Sequence, residues 1–160
     1  MGDVTPARSR GGSAGGAHPD SRPADEDRFA HGAIRVVVCD DHAVLRAGLQ
    51  RLIESVDGID VIGTAADGHE AVETVVRLRP DVALMDLSMP RLDGVAATRR
   101  ITAVAPEVRV VVLTSFHHRA RIAEAMDAGA VGYLLKDATP DELVRAIRST
   151  GDTVGANDRG

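Results

Sequence analysis

Aromatic residues and cysteine are scarce in this sequence. Among 160 residues there is no Trp, one Tyr and two Phe, so a core has to be built from aliphatic side chains. Strands that helices cover on both faces are rich in Val, Ile and Leu, and the composition therefore favours an α/β fold. The single cysteine, Cys39, excludes an internal disulfide and fits a reducing compartment. Because it lies in an apolar run, we interpret it as a small buried residue.

Long apolar segments and an excess of positive charge are also missing. No apolar run approaches the roughly 20 residues of a membrane span, and the N-terminus lacks the apolar segment of a secretory signal peptide. The net charge of -5 provides no general attraction to nucleic acid or to an anionic membrane. We therefore predict a cytoplasmic protein that does not associate with membranes.

The chain divides by composition into one domain and two tails. Residues 1–32 are rich in Gly, Pro, Ser and charge and show no periodicity, which predicts a disordered tail. Residues 33–150 carry the apolar patterns of a single domain. The last segment, GDTVGANDRG (151–160), has no structural signal and is predicted to be a second disordered tail.

Apolar, β-branched runs alternate five times with segments of helical periodicity. Asp67 and Glu70 predict a capping box at one helix start, and Thr139 and Glu142 supply the N-cap and the N3 acid of the last helix. Another helix is predicted over about 118–128, with Gly129 at its end. The last helix is expected to run through about Ser149. Short connections and right-handed crossovers make this pattern a doubly wound, five-stranded parallel sheet with helices on both faces. The predicted strands are 34–40, 59–66, 81–86, 108–115 and 130–136.

Polar residues stand where four of these strands end, and open sheets of this kind bind ligands at the carboxyl ends of their strands. Alone, each has an ordinary role, because Asp forms turns and helix caps and Thr favours strands. Together, three carboxylates, a hydroxyl and an ammonium suit a divalent cation and a phosphoryl group. Aspartate can also form an aspartyl phosphate. The five residues are Asp40, Asp41, Asp86, Thr114 and Lys136.

Four segments resemble the receiver domain of two-component response regulators, most closely the NarL/FixJ type. The resemblance covers residues 34–149 and implies a flavodoxin-like (βα)5 receiver fold. It also implies a phosphoacceptor signalling domain rather than an enzyme, with a sensor histidine kinase as partner, homodimer formation on phosphorylation, and transcription as the usual output. The segments are VVVCDDHAVLRAGL, DVALMDLSMPRLDG, VVVLTSFHHRA and AGAVGYLLKDATPDELVRAI.

The resemblance implies a phosphoacceptor and a metal site. Asp86 would accept the phosphoryl group from the kinase's phosphohistidine. Asp41 and Asp86 would bind Mg²⁺ (or Mn²⁺) directly, together with the backbone carbonyl of Ser88. Asp40 would act mostly through a metal-bound water.

The resemblance also implies roles for three later residues. Lys136 would pair with Asp86 and then with the phosphoryl group, while the hydroxyl of Thr114 would bond a phosphoryl oxygen. Tyr133 matches the aromatic residue of the switch, which turns inward as Thr114 moves toward the phosphate.

Two features depart from the usual family pattern. Many receivers have Pro after the lysine, with a cis peptide between them, whereas Asp137 follows Lys136 here and leaves that geometry open. NarL/FixJ-type regulators usually carry a C-terminal helix-turn-helix domain of the LuxR type, and about ten residues after the last predicted helix cannot hold one. We therefore expect no DNA-binding domain in this chain.

Three histidines near the motifs are interpreted as structural or solvated residues. His42 follows the acidic pair and is expected to begin a helix rather than to act as a ligand. Adjacent residues on a helix do not share a face, so we expect His117 and His118 to be solvated rather than to form a metal pair.

Three other functions were weighed against the phosphoacceptor. An aspartate-nucleophile phosphatase of the haloacid dehalogenase kind needs a second acid two residues after the nucleophile, where this chain has Ser88. Cobalamin binding needs Gly in a D-x-H-x-x-G motif, where Leu45 stands, and we reject it. A scaffold that acts without phosphorylation remains the main alternative.

Overall fold

The computed structural model describes residues 32–157, with side chains for residues 32–115 and 117–151. Five strands alternate with five α-helices, and a 3-10 helix at Phe116–Arg121 precedes the fourth α-helix. The elements are β1 (Ile34–Cys39), α1 (Ala43–Glu54), β2 (Ile59–Ala65), α2 (Gly68–Leu78), β3 (Val82–Asp86), α3 (Gly94–Val104), β4 (Arg109–Thr114), α4 (Ile122–Asp127), β5 (Gly132–Leu135) and α5 (Pro140–Asn157).

The strands form one parallel sheet in the order β2-β1-β3-β4-β5. All four neighbouring pairs are parallel, and the register of β1 with β3 pairs Cys39 with Met85 at the carboxyl ends. The connections run outward from β1 in one direction and from β3 in the other, so the switch point of the sheet lies between these two strands. The predicted fold class is confirmed.

Two aliphatic clusters hold the helices on the sheet, one on each face. One contains Val75 of α2 and Ile101 of α3, and the other contains Ile53 of α1 and Ile147 of α5. These four side chains are fully buried, and each such burial stabilises the fold by about 1.5–3 kcal/mol. The aliphatic core that the composition implies is therefore present on both sides of the sheet.

Cys39 occupies the last position of β1 and is fully buried, as predicted. Burial is the main reason that the pKa of its thiol lies far above the ordinary value, and the nearby carboxylates of Glu70 and Asp40 raise it further. The thiol therefore stays protonated and acts as a small apolar side chain.

Both predicted helix N-caps form, and the one at Thr139 is a complete capping box. The N–H of Glu70 donates to Asp67 Oδ1 (2.9 Å), and the N–H of Glu142 donates to Thr139 Oγ1 (3.2 Å). In the second box the Glu142 carboxylate accepts in return from the N–H of Thr139 (3.1 Å). Side chains thus satisfy N–H groups that the first turns of α2 and α5 leave unpaired.

The C-terminal helix is longer than predicted. We expected α5 to end near Ser149 and residues 151–160 to have no structure, but α5 continues to Asn157. Gly151 packs so closely on β1 that a Cβ atom would lie 2.7 Å from Ile34 Cδ1, so this glycine serves a close approach within the helix rather than its end. The remaining tail predictions, residues 1–31 and 158–160, lie outside the described residues and stay predictions.

The fourth helical segment also differs from the prediction, which was one helix over about 118–128. A 3-10 helix comes first, with the N–H of His118 donating to the Ser115 carbonyl (3.0 Å). The α-helical part is only Ile122–Asp127. The Lys136–Asp137 peptide, whose geometry the sequence left open, is not cis, because the described residues contain no cis peptide.

Candidate functional site

The carboxyl ends of the central strands bring the predicted site residues to one edge of the sheet. Asp86 is the last residue of β3, and Asp40 follows β1 directly. Backbone bonds extend the sheet just past the strands: the N–H of Asp40 donates to Ala65 O (3.0 Å) and that of Lys136 to Thr114 O (2.9 Å). The side chains at this edge are therefore held by paired backbone.

Three carboxylates meet at this edge. Asp40, Asp41 and Asp86 each offer an oxygen within 4.8 Å of the others, and the imidazole of His42 lies within the same distance. Asp40 is fully buried and Asp86 is 1% exposed. One oxygen of each is occupied, since Asp40 Oδ1 accepts from the N–H of His42 (2.8 Å) and Asp86 Oδ1 from the N–H of Ser88 (3.1 Å).

The other carboxylate oxygens lack hydrogen-bond donors. Asp40 Oδ2, Asp41 Oδ1 and Asp86 Oδ2 are buried, and no group of the described residues makes a hydrogen bond to them. Lys136 provides a positive charge, with Nζ 3.1 Å from Asp86 Oδ2 and 3.7 Å from Asp40 Oδ2. One ammonium cannot neutralise three carboxylates, and buried oxygens without donors are costly. The donor set therefore fits a hard divalent cation that prefers oxygen ligands.

The pKa of Asp86 reflects the same excess of negative over positive charge. Burial is the largest influence and raises the pKa of Asp86 above its ordinary value, while the Ser88 N–H and the Lys136 ammonium act in the opposite direction. The negative charge of Asp40 raises the pKa further. A cation bound among the carboxylates would favour the ionised form and thus the nucleophile.

Thr114 and Tyr133 lie on the two strands beyond β3. Thr114 ends β4 and is 1% exposed, and its hydroxyl donates to the carbonyl of Ser115 (3.2 Å). Tyr133, in the middle of β5, is 54% exposed. The structure thus brings Asp40, Asp41, Asp86 and Lys136 together. The Thr114 hydroxyl bonds a backbone carbonyl instead, and Tyr133 is about half exposed.

Sequence reasoning missed a second layer of contacts around Asp86. His118 is exposed, as expected, but its Nδ1 also lies 2.8 Å from Ser115 Oγ and 3.5 Å from Ser88 Oγ. Ser88 follows β3 and Ser115 follows β4, so His118 joins the loops after these two strands. Periodicity did not indicate this contact, because it depends on the 3-10 turn that begins after Ser115.

Arg121 makes a further connection between the same loops. Its Nη2 lies 2.9 Å from Asp93 Oδ2, and its Nη1 donates to the carbonyl of Leu87 (3.4 Å). Partial burial acts to raise the pKa of Asp93, but the N–H of Ala96 and the Arg121 guanidinium outweigh it and hold this pKa below its ordinary value. The segment before α4 is thereby tied to the loop that follows the phosphoacceptor candidate.

His42 has the expected backbone position and an unexpected side-chain environment. It is the N-cap residue of α1, as predicted, with an extended backbone. Its Nδ1 lies 3.1 Å from Asp41 Oδ1 and 3.4 Å from Asp40 Oδ1. The sequence indicated this contact only by placing His42 directly after the acidic pair. The direction of the ring depends on the bend between β1 and α1.

Comparison with known proteins identifies the family. The sequence profile of the response regulator receiver domain matches residues 36–148. The chain belongs to this family. The predicted receiver fold is confirmed, and the acidic cluster described above lies inside the matched range.

Receivers of curated regulators are similar over most of this chain. The transcriptional regulatory protein LnrK of Bacillus subtilis (strain 168) is 45% identical over 114 residues, which cover 71% of this chain and 52% of LnrK. The response regulator UvrY of Escherichia coli (strain K12) is 44% identical over 116 residues, which cover 72% of this chain and 53% of UvrY. The chain spans about half the length of these relatives.

Solved receiver structures agree with the fold. The response regulator domain of Thermotoga maritima CheB has a TM-score of 0.70 at 36% identity, over 75% of this chain and 97% of that chain. A LuxR-family two-component response regulator from Aurantimonas sp. SI85-9A1 has a TM-score of 0.71 at 36% identity. The match covers 76% of this chain and 86% of that chain. The predicted NarL/FixJ-type relationship is thereby confirmed.

The family assigns this receiver to two-component signalling. Receiver domains of response regulators are signalling domains and generally not enzymes, which agrees with the prediction. Within residues 32–157, none of the helices combines the length and apolar character that crossing a bilayer requires. The cytoplasmic location stays a prediction.

Proposed function

We propose that this receiver accepts a phosphoryl group on Asp86 from a sensor histidine kinase in a Mg²⁺-dependent reaction. The observation that carries the proposal is the buried Asp86 carboxylate, which has an ammonium on one side and two further carboxylates on the other. Its Oδ2 forms an ion pair with Lys136 Nζ at 3.1 Å, and no other described residue donates a hydrogen bond to it. A nucleophile needs such an oxygen with its lone pairs available.

The reaction forms a bond between an Asp86 oxygen and phosphorus while the bond between phosphorus and the kinase imidazole breaks. The imidazole leaves and takes up a proton. Asp86, Asp41 and the carbonyl of Ser88 would hold Mg²⁺, with Asp40 acting through a bound water. When bound, the ion neutralises charge on the carboxylates and on the transferred group, which is the main requirement of phosphoryl transfer.

This chain's own residues would align and hold the phosphoryl group. The N–H of Ser88 keeps Asp86 Oδ1 in place at 3.1 Å, which orients the carboxylate. Lys136 pairs with Asp86 first and would then pair with a phosphoryl oxygen, to which an ammonium donates as a point charge. Such fixed donors stabilise the charge of the transferred group without reorganisation.

Phosphorylation would change the state of two further residues. The Thr114 hydroxyl now donates to Ser115 O (3.2 Å), and it would exchange this bond for a phosphoryl oxygen. Tyr133, 54% exposed, would then turn inward. We infer that this switch controls homodimer formation and an output, with transcription favoured by the relatives' names.

The test is phosphorylation by acetyl phosphate with Mg²⁺, read by intact mass and by size-exclusion chromatography. We expect the mass of one phosphoryl group to be added, with none added in EDTA or in Asp86→Asn. Asp127→Asn, which alters an exposed residue of α4, is the matched control and should be labelled like the natural protein. Full labelling of Asp86→Asn would show that another residue is the acceptor.

The scaffold alternative is tested in the same sample. Beryllofluoride and Mg²⁺ mimic the phosphorylated state, so the NMR signals of Thr114 and Tyr133 should shift. If beryllofluoride leaves both signals unchanged although acetyl phosphate labels Asp86, phosphorylation does not operate this switch.

A further inference from the structure

The imidazole of His42 lies among the acidic side chains. It begins α1 without using its side chain as a cap. Its Nδ1 lies 3.1 Å from Asp41 Oδ1 and 3.4 Å from Asp40 Oδ1, and the three residues form one cluster with Asp86 inside 4.8 Å. A nitrogen ligand atom therefore stands beside the three carboxylates of this receiver.

The contact of His42 with Asp41 does not satisfy the carboxylate. Asp41 Oδ1 is buried and accepts no hydrogen bond from the part of the chain that the structure describes, even though the ring nitrogen is only 3.1 Å away. The fully buried Asp40 likewise has an oxygen, Oδ2, to which none of the described residues donates a hydrogen bond. Unsatisfied buried oxygens point to a missing positive partner.

The spacing of these atoms suits two ligands of one ion. In an octahedral site with metal–ligand bonds of about 2.1 Å, neighbouring ligand atoms are about 3.0 Å apart. The distance from His42 Nδ1 to Asp41 Oδ1, 3.1 Å, is close to that value. The His42 side chain is 67% exposed, so the imidazole can turn toward an ion without disturbing a packed core.

We propose that His42 Nδ1 is a metal ligand in this receiver, so that the acidic site selects first-row transition-metal ions over Mg²⁺. Imidazole binds ions such as Co²⁺, Ni²⁺ and Zn²⁺ well, whereas Mg²⁺ prefers oxygen ligands and keeps several waters. The inference rests on the proposed function, because the same carboxylates hold the ion. On this proposal, His42 determines which cation the site binds preferentially.

The first measurement uses Mn²⁺ as the probe on the full chain. Pulsed EPR detects nitrogen bound directly to Mn²⁺, and we expect a nitrogen coupling in the natural protein that disappears in His42→Ala. His69→Ala, which removes an exposed histidine at the start of α2, should retain it. A natural protein without nitrogen coupling, or a coupling that survives in His42→Ala, overturns the proposal.

The second measurement compares affinities for Co²⁺ and Mg²⁺ by calorimetry. Loss of a ligand should weaken Co²⁺ binding by at least about tenfold, since even outer-shell changes cost 10–100-fold, while Mg²⁺ binding changes far less. Equal weakening of both ions overturns the selectivity. If His42→Ala does not fold, His42→Gln replaces it, because its amide keeps polarity but lacks the imidazole nitrogen.

The outcomes separate this inference from the proposed function. Mg²⁺-dependent labelling of Asp86 without a nitrogen coupling refutes the role of His42 alone. A nitrogen coupling without any labelling of Asp86 refutes the phosphoacceptor and leaves the metal ligand in place.

Discussion

Replacing Lys136 by Met should destabilise the metal-free protein strongly. Met keeps an unbranched apolar side chain, slightly shorter than that of Lys, in the pocket that Lys136 lines with Leu49 and Leu143, but it removes the ammonium. Asp86 and Asp40 would then keep buried negative charges, and no cation would lie at 3.1 or 3.7 Å. An unpaired buried charge is among the most costly changes in a folded protein.

The size of the effect follows from the distances. At an effective dielectric constant of about 20, an ammonium attracts a carboxylate by about 5 kcal/mol at 3.1 Å and about 4 kcal/mol at 3.7 Å. Dehydration of the ammonium offsets much of this. Removing one partner of a buried ion pair typically costs about 3–5 kcal/mol, and because Lys136 is 21% exposed we expect the lower end, about 3 kcal/mol.

The assay is urea denaturation at pH 7 in EDTA, repeated with excess Mg²⁺. Mg²⁺ should reduce the difference in unfolding free energy between Lys136→Met and the natural protein, since a ligand that binds only the folded state stabilises it by mass action. Glu107→Gln is the matched control. Its pair with Arg79 is exposed on both sides, so its loss should be barely measurable.

Acidification gives a second check of the same reasoning. Burial raises the pKa of Asp86, and a carboxyl whose pKa is raised in the folded state costs stability as the pH rises through that value. Without Lys136 the pKa of Asp86 rises further. The loss of unfolding free energy in Lys136→Met should therefore become smaller as the pH is lowered. A loss below about 1 kcal/mol at pH 7, or one that does not change with pH or Mg²⁺, would refute the account.

Three more substitutions test the site from other sides. Asp86→Asn should stabilise the metal-free protein by about 1 kcal/mol in urea denaturation, since it removes a buried charge. Gly94→Ala should cost more than about 3 kcal/mol and weaken acetyl phosphate labelling, because its Cβ would overlap the Asp86 carbonyl oxygen. Asp93→Ala should cost about 1 kcal/mol at pH 7 as the cap of α3 is lost. Since the pKa of Asp93 is lowered, that difference should disappear as the pH falls through the folded-state value.

Rules for neighbouring residues predicted most helices and strands of this fold. They failed where contacts between distant residues determined the end of a helix. The N-cap bonds of Asp67 and Thr139 formed as predicted, because they involve only neighbouring residues. Gly151 was expected to follow a helix end, yet α5 continues through it to pack on Ile34. Glycine does end helices, and only the packing partner shows that this one does not.

Prediction of the site had a similar limit. The five polar residues at strand ends could be found from sequence because parallel strands bring their carboxyl ends to one edge. The contacts of His42 and His118 could not, since each depends on a side-chain direction set in a loop. Their assigned roles stay predictions until the labelling and metal experiments are done.

The sequence by itself determined the order of strands and helices, the aliphatic core and the edge at which the acids gather, because apolar periodicity and chain connectivity are local properties. Tertiary structure alone decided which carboxylate oxygens are buried without donors and that one lysine faces two of them. It also decided that the ring of His42 turns toward the acids rather than away. Distances between residues far apart in the chain set the electrostatics of this receiver, and periodicity carries no information about them.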